Sequence, residues 1–126
     1  MADPRRARGI AGEDAAARLF ASLGYKLIAR NFRTRYGELD IVAVDRDCLV
    51  FCEVRSRVGR PAIATASARE SIGPRKQLQL RKMAGEWFQL ATSGGRRTRR
   101  TRFDVVAVAL AIDGRVLAVD HLEGAF

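Results

Sequence analysis

The sequence predicts a single α/β domain in which helices flank a mixed β-sheet, with the element order α-β-β-β-α-β-β. Two segments, 10–23 and 74–91, repeat apolar residues at helical spacing, while several shorter runs rich in Val, Ile and Phe are typical of strands. The second helix links the third strand to the fourth, and such crossovers are right-handed and make the two strands parallel. The length of 126 residues suits one ordinary domain.

The first half of the chain predicts one helix and three strands. Residues 1–8 are polar and basic, and we expect them to be disordered. The helix follows from Ile10 to Leu23 and ends at a glycine that is suited to a C-terminal cap. Its inward-facing residues are Ala16, Leu19, Phe20 and Leu23. Strands are expected over 25–33 and on both sides of a tight turn at 45–48, which favours antiparallel pairing.

The second half predicts a helix and two strands separated by two flexible loops. Residues 58–72 show no periodicity, so we expect a loop that could close over a substrate. The helix over 74–91 begins with proline, which suits the first helical position, and residues 93–102 form the second loop. The run 103–112 is nearly all apolar, as in a central strand buried on both faces. An Asp-Gly turn then leads to an edge strand over 115–121.

Charge is the most informative feature of the composition. The formal net charge is +9 and the pI is about 10.9, which predicts attraction to nucleic acid or to another acidic surface. Five of the arginines fall within the seven residues 96–102. Such a run is either a solvated surface loop or a set of phosphate contacts, because arginine is well suited to binding phosphate.

Several classes of protein are disfavoured. No apolar segment reaches the ~20 residues that cross a bilayer, and the N-terminus lacks the apolar core of a secretory signal, so we expect a cytoplasmic protein without a membrane partner. Cys48, Cys52 and His121 are the only residues of their types. They are too few for a zinc site, and a Ser-His-Asp hydrolase would have to rely on His121, near which no nucleophile motif occurs.

Two acids occupy strand positions where carboxylates are costly to bury. Asp40 opens the apolar run IVAV, and Glu53 closes the run LVFC. The period-2 alternation of strands places Asp40 with Glu38, Val42 and Val44, and Glu53 with Phe51, Arg55 and Arg57. If the acid-bearing faces coincide, the two carboxylates become neighbours that favour a shared cation such as Mg²⁺. The alternative is ion pairing with arginines such as Arg55.

Other charged residues lie where they can extend this site. Glu13 falls on the inward face of the first helix, although an acid in a first turn also stabilises the helix dipole. Lys76 lies on the inward face of the second helix and either points toward the carboxylates or only extends along the core. Arg30, Arg33 and Arg35 gather near Asp40, where they can hold phosphates or simply neutralise acids.

Together these segments resemble a known family. GEDAAARLF, RNFRTRYGELDIVAVD, LVFCEVRSR, Lys76-Gln77 and RFDVVAV, within residues 12–108, follow the layout of the PD-(D/E)xK nuclease superfamily. More narrowly, the chain resembles the YraN (UPF0102) family of bacterial proteins, which is similar to archaeal Holliday junction resolvases. The resemblance implies a restriction-endonuclease-like core. It also implies a homodimer, because resolvases act as dimers.

The resemblance also assigns roles to residues. It implies that Asp40, Glu53, Glu13 and the main-chain carbonyl of Val54 bind Mg²⁺ or Mn²⁺. Arg55 occupies the place of the superfamily's lysine, which orients or deprotonates the attacking water. Arginine stays protonated and cannot act as a base, but it can stabilise charge in a transition state. The expected nucleic-acid contacts are Arg30, Arg33, Arg35, Arg57, Lys76, Gln77, Arg96, Arg97, Arg99 and Arg100.

The function expected on these grounds is nucleic-acid binding by a protein of endonuclease-like fold, with Mg²⁺-dependent hydrolysis of branched or structured DNA. The substitution of arginine for lysine favours an alternative, a binding module that kept the fold without catalysis. A third possibility is a protein-interaction scaffold, in which the acids have no special role.

Overall fold

The computed structural model describes residues 3–90 and 100–126, which form a five-stranded sheet with helices on both faces. The elements are α1 (Pro4–Ser22), β1 (Lys26–Thr34), β2 (Gly37–Asp45), β3 (Cys48–Val58), α2 (Pro61–Ser71), α3 (Pro74–Leu90), β4 (Arg100–Leu110) and β5 (Val116–Leu122). The strands follow the order β1-β2-β3-β4-β5 across the sheet. Strands β3 and β4 are parallel and the other neighbours are antiparallel, which confirms the predicted mixed sheet.

Strand β4 lies in the interior of the sheet and is covered on both faces, as its composition predicts. It pairs with β3 in unbroken register, from Cys48 opposite Arg100 to Val58 opposite Leu110, and pairs with β5 on its other side. Every residue from Phe103 to Leu110 is buried. Because both faces of the strand are covered, the run can be almost uniformly apolar.

The sheet separates two hydrophobic layers. On one face, α1 packs with Ala16 and Phe20 against Ile41, Cys52 and Val106. The opposite face is covered by α3, and the residues buried there include Val42, Val44, Phe51, Leu80 and Met83. A smaller cluster beside them includes Ala68, Ile72, Val105, Ala107 and Leu122. Trp87 packs against the layer beneath α3, with its ring edge-on to Phe32 at a centroid distance of 4.7 Å.

The loop expected over 58–72 is a correction, because most of it is helix α2. Pro61 stands in the first turn, where its fixed φ favours a helix. The buried residues of α2 are Ala64 and Ala68. Alanine is the strongest helix former but buries little apolar surface, so this helix carries only a weak hydrophobic period. The crossover from β3 to β4 therefore contains two helices rather than one.

The helix boundaries at both ends of the chain also differ from expectation. Helix α1 begins at Pro4, so residues 4–8 are helical rather than disordered, and the side chain of Asp3 caps them by accepting from the Arg5 N–H at 3.0 Å. Strand β4 begins at Arg100, within the loop expected over 93–102, and the Arg100 N–H donates to the Asp47 carbonyl at 3.2 Å. In the described part of the chain, no helix is long and apolar enough to cross a membrane.

Candidate functional site

The candidate site lies where two neighbouring strands separate. Strands β2 and β3 pair from Asp45 opposite Cys48 to Ile41 opposite Cys52, and their pairing stops there. The next residues of the two strands are Asp40 and Glu53, so both acids stand at the first position of the gap, which we call the fork. Beyond it, β3 continues beside β4 to its end at Val58, leaving the other edge of β3 open.

The backbone of β3 fixes the carboxylate of Asp40 in the fork. The Val54 N–H donates to Asp40 Oδ2 at 2.8 Å. The N–H and C=O of one strand residue point to the same side, so the Val54 carbonyl also points into the fork. Two carboxylates and one main-chain carbonyl are therefore directed toward a common space.

The face on which Asp40 was expected is a second correction. Val42 and Val44 pack in the layer beneath α3, but so does Leu39, whereas Ile41 packs beneath α1. The period-2 alternation is thus broken between Leu39 and Val42, and Asp40 does not follow the two valines into the α3 layer. An irregularity accompanies the break on the neighbouring strand, where Asn31 has a φ of +53°, a left-handed conformation that asparagine tolerates.

The electrostatic balance of the fork differs for its two acids. Burial raises the pKa of Asp40, and the adjacent charge of Glu53 raises it further, to about 8. Glu53 is only 6% exposed, but its Oε2 contacts Arg55 Nη2 at 2.9 Å and Lys76 Nζ at 3.1 Å. Near neutral pH and without a cation, Asp40 therefore retains a proton.

The charged neighbours of Glu53 form ion pairs with it. Arg55 does pair with Glu53, and Lys76 points toward the acids from the first turn of α3 rather than only extending along the core. Gln77, also expected to contact nucleic acid, instead donates its amide to the Ile72 carbonyl at 3.2 Å. The carboxylate pair thus has an arginine on its own strand and a lysine on the facing helix.

Glu13 lies beside the fork without completing a three-acid cluster. It lines the same cavity of about 390 Å³ as Asp40 and Val54. In the amide orientation that satisfies its nitrogen, Asn31 donates to Glu13 Oε1 at 2.8 Å and to Glu38 Oε1 at 2.9 Å. Within residues 3–90 and 100–126, no three Asp, Glu, His or Cys side chains are grouped to hold a metal ion. The direct carboxylate ligands available are Asp40 and Glu53.

This donor set suits magnesium. Mg²⁺ in substrate-processing sites is bound by one or two carboxylates and keeps several waters for phosphate oxygens to replace. The two acids and the Val54 carbonyl could supply three oxygen ligands, and a cation between the acids would remove the repulsion that raises the pKa of Asp40. Manganese is coordinated by the same oxygen ligands.

The arginines expected beside the acids differ in how far carboxylates already neutralise them. The contacts are Arg30 Nη2–Asp14 Oδ1 at 2.7 Å, Arg35 Nε–Glu86 Oε2 at 2.9 Å and Arg33 Nη2–Glu38 Oε2 at 3.7 Å. The side chain of Arg33 is 86% exposed, which makes it the most available of the three for phosphate.

The remaining expected contacts lie farther along the chain. Arg57 is exposed and donates to the Ser67 hydroxyl at 2.5 Å. Arg100 contacts Asp47 at 3.1 Å at the start of β4. Arg96, Arg97 and Arg99 lie outside the described residues.

Sequence reasoning missed several residues around the fork. Arg5 and Arg8, on the first turns of α1, line the cavity that contains Asp40 and Glu13. Their signal was Pro4, which fits the start of a helix and would have extended the helical spacing back to both arginines. Asn31 gave no comparable signal, because its bridge between two acids depends on an irregular backbone.

A second buried acid lies one strand away from the fork. Asp104 on β4 is 1% exposed and hydrogen-bonds His121 Nε2 at 2.6 Å, Arg102 Nε at 2.8 Å and the Gly124 N–H at 2.9 Å. Burial alone would raise the pKa of Asp104, but these hydrogen bonds lower it below its usual value. The single histidine of the chain is therefore engaged with a structural carboxylate.

Comparison with known proteins identifies the family of this chain. The model of "Uncharacterised protein family UPF0102" matches residues 12–108. A UPF0102 protein of Pelotomaculum thermopropionicum is 42% identical over 126 residues, and one of Moorella thermoacetica is 43% identical over 126 residues, each alignment covering both chains completely. A UPF0102 protein of Rhodococcus jostii is 39% identical over 120 residues, covering 95% of this chain and 96% of its own. The chain belongs to the UPF0102 family.

Proposed function

We propose that this protein is a divalent-metal-dependent phosphodiester hydrolase that acts on nucleic acid, with branched or structured DNA as its substrate class. The observation that carries the proposal is the pairing of Asp40 and Glu53 at the fork. One of these acids has a pKa of about 8, so the pair tends to gain a proton or a cation. Cationic side chains surround this acidic centre, and a phosphodiester needs both kinds of group.

Asp40, Glu53 and the Val54 carbonyl would hold the metal. A bound Mg²⁺ or Mn²⁺ supplies Lewis-acid activation of water and of a phosphoryl oxygen. The protein contributes the geometry, since the Val54 N–H holds the Asp40 carboxylate at the fork. The open edge of β3 leaves room for a strand of nucleic acid to approach.

Lys76 compensates for the missing lysine of β3. Its Nζ lies 3.1 Å from the Glu53 oxygen that Arg55 also contacts. An ammonium group can orient a water and give up a proton at Nζ, whereas a guanidinium cannot. We assign the water-orienting role to Lys76 and the stabilisation of phosphoryl charge to Arg55.

The charge distribution supports a polyanionic substrate. The chain carries a net charge of +9, and Arg5 and Arg8 line the cavity beside Asp40. Arg33 and Arg57 are exposed, and Arg57 lines the same cavity as Asp40. These positions suit a phosphate backbone that passes over the fork.

One observation favours the alternative of a binding module without catalysis. Glu53 is already neutralised by two cations, an arrangement that is stable without metal. In that case Asp40 and Glu53 organise the cations that bind phosphate. The two functions differ in whether the acids are needed for cleavage.

A cleavage assay separates the two functions. End-labelled linear, flapped and four-way DNA and single-stranded RNA are incubated with Mg²⁺, with Mn²⁺ or with EDTA. For a hydrolase, Asp40→Asn and Glu53→Gln should each lower the cleavage rate by about 10³-fold or more, since each removes a metal ligand. Asp47→Asn makes the same chemical change at an exposed site and should leave the rate unchanged.

Variants of Lys76 and Arg55 test the separate roles assigned to these two cations. Lys76→Met should lower the rate at saturating DNA more than it lowers affinity, and Arg55→Lys should retain part of the activity. Absence of product from wild type on all substrates, with metal-independent binding retained, would support the binding module. Product that survives Asp40→Asn would come from another nuclease.

A further inference from the structure

We propose that helix α2 and the end of β3 form a subsite for one internal phosphodiester group of a nucleic-acid strand, next to the group at the fork. The identity of the ligand rests on the proposed function; the anion site itself does not. The subsite is a cavity of about 270 Å³ between the two elements, which we call the α2 pocket. Its polar lining residues are Arg55, Ser56, Arg57, Ser67 and Ser71.

The lining of the α2 pocket is positively charged. It contains two guanidinium groups and, in the described chain, no carboxylate. Arg55 shares the carboxylate of Glu53 with Lys76. Arg57 makes its side-chain contact with a neutral hydroxyl, and within residues 3–90 and 100–126 no acid forms an ion pair with it. The pocket therefore has a surplus of positive charge for an anion to balance.

Residues that line the pocket carry hydrogen-bond donors without acceptors. Arg55 Nε is buried and has no hydrogen-bond partner within residues 3–90 and 100–126, although buried polar groups are nearly always paired. Ser67 Oγ accepts from Arg57 Nη1, so its own proton remains available to donate. The Ser71 hydroxyl is different, because it already donates to the Ala68 carbonyl at 2.7 Å.

The arrangement points to a phosphate group. Arg55, Arg57 and Ser67 present donors from two elements around one small space, and arginine matches the oxygens of phosphate well. A volume of about 270 Å³ is below the ~300–1,000 Å³ of pockets that enclose whole small molecules. It suits one group of a longer ligand that continues outside the pocket.

The position of the pocket links it to the fork. Arg55 contacts Glu53 through Nη2, and it also lines the α2 pocket. A phosphate bound there would contact Arg55, which lies two residues beyond Glu53 on β3. Ser67 lies on α2, in the connection between β3 and β4, so the pocket combines a helix residue with residues of the strand that carries Glu53.

The first test measures the anion site without nucleic acid. Inorganic phosphate is titrated into ¹⁵N-arginine-labelled wild type in EDTA at constant ionic strength, and the Nε–H resonances are followed by NMR. Arg55→Lys identifies the resonance of Arg55. We expect this resonance to shift and saturate, with the dissociation constant at least tenfold weaker in Arg57→Gln and about three- to tenfold weaker in Ser67→Ala.

The matched control is Arg115→Gln, which removes an exposed arginine from the β4–β5 turn, away from the lining of the pocket. It should change the dissociation constant less than twofold. A resonance of Arg55 that does not saturate, or equal affinities in wild type, Arg57→Gln and Ser67→Ala, would overturn the subsite.

The second test identifies the source of the phosphate. DNA strands with a neutral methylphosphonate at one position at a time are bound to wild type and to Arg57→Gln in EDTA. At one internal position the methylphosphonate should weaken DNA binding by wild type at least tenfold and binding by Arg57→Gln by less than threefold. If the loss of affinity is the same in wild type and Arg57→Gln at every position, or is confined to a terminal phosphate, an internal phosphodiester is refuted. If phosphate saturates the site but no nucleic acid binds, the proposed function fails and the anion site remains.

Discussion

Asp104 on β4 and Asp40 on β2 are acids of the same sheet, and their surroundings shift their pKa values in opposite directions. Asp104 receives hydrogen bonds from His121, Arg102 and the Gly124 N–H, and its pKa is lowered. Asp40 accepts one backbone N–H and lies beside Glu53, and its pKa is raised to about 8. Burial disfavours both charges, so the difference comes from the donors around them.

The contrast shows how to separate a structural acid from one available for function. The chain itself supplies all the partners that Asp104 needs, so its charge stabilises the fold. Within residues 3–90 and 100–126, Asp40 has no comparable set of partners, and a proton or a cation from solution can complete its surroundings. A fold that keeps this uncompensated acid loses stability at that position, which is common where a site is built to bind a ligand.

The largest effect on stability is expected at the satisfied acid. Asp104→Asn keeps the shape of the side chain but turns an amide toward the guanidinium of Arg102, whose side chain is only 17% exposed. Breaking a buried charge pair in this way costs about 3–5 kcal/mol. Urea unfolding should show a loss near the lower end, since Asp45 and Glu123 still contact Arg102. The exposed control Asp47→Asn should change stability by less than ~0.5 kcal/mol, and a loss below ~1 kcal/mol for Asp104→Asn would contradict the contrast.

The matching variant at the other acid, Asp40→Asn, should raise the free energy of unfolding instead of lowering it. The folded pKa of Asp40, about 8, exceeds the ~3.9 of an unfolded aspartate. Between these values the folded state binds more protons, so wild-type stability falls as pH rises. Asn mimics the protonated acid, because its oxygen can accept from Val54 and its amide can donate to Glu53. The free energy of unfolding of Asp40→Asn, relative to wild type, should grow by about 2 kcal/mol between pH 5 and pH 8. This is less than the full pKa shift implies, because the site relaxes.

Metal provides the control for this pH experiment. The unfolding experiments above are done in EDTA, and Mg²⁺ added at pH 8 should stabilise wild type through binding to the folded state. Asp40→Asn should gain much less. Equal responses of the two proteins to Mg²⁺, or parallel stability curves against pH, would show that Asp40 is not the uncompensated group.

Helix α1, which covers one side of the fork, offers a smaller and more local test. A Cβ on Gly12 would collide with Ser56 Oγ and lie 3.0 Å from Ser56 Cβ, whereas one on Gly9 would meet nothing within 4 Å. Gly9→Ala should therefore stabilise the helix by about 0.5–1 kcal/mol. Gly12→Ala should instead destabilise the protein by about 1 kcal/mol.

The cause of that loss can be checked by removing the colliding atom. Ser56→Ala should recover part of the stability in the Gly12→Ala background, because it removes Oγ but keeps Cβ. Thermal unfolding of the two single variants and the double variant measures this coupling. If Gly12→Ala is as stabilising as Gly9→Ala, α1 is free to move away from β3.

The strands and the acid pair were accessible from sequence because their signals are strong. The run from Phe103 to Leu110 could only be a buried strand, and acids beside apolar runs marked Asp40 and Glu53. Helix α2 was missed because its buried residues are alanines, which leave almost no hydrophobic period.

The details of the fork depend on the tertiary structure. The broken alternation on β2 and the left-handed conformation of Asn31 on β1 arise from the way two strands separate, which no local pattern encodes. Arg55 Nε, which has no partner within residues 3–90 and 100–126, is likewise invisible in sequence, since its surroundings depend on where Glu53, Lys76 and α2 converge.

The smallest expected effect extends the comparison from acids to arginines. Arg35 contacts Glu86 at 2.9 Å, whereas Arg33 lies 3.7 Å from Glu38 and is 86% exposed. A guanidinium that already has a close carboxylate loses that partner when it binds phosphate, so Arg33 should contribute more to DNA binding. Arg33→Gln should reduce the slope of log affinity against log salt by about 0.9, the value for one phosphate contact on duplex DNA. Arg35→Gln should reduce it by less, and both variants should unfold within ~0.5 kcal/mol of wild type. Fluorescence titrations across a salt series measure the slopes. Equal reductions would mean that an existing carboxylate partner does not decide how much an arginine contributes to DNA binding, although existing partners do distinguish Asp104 from Asp40.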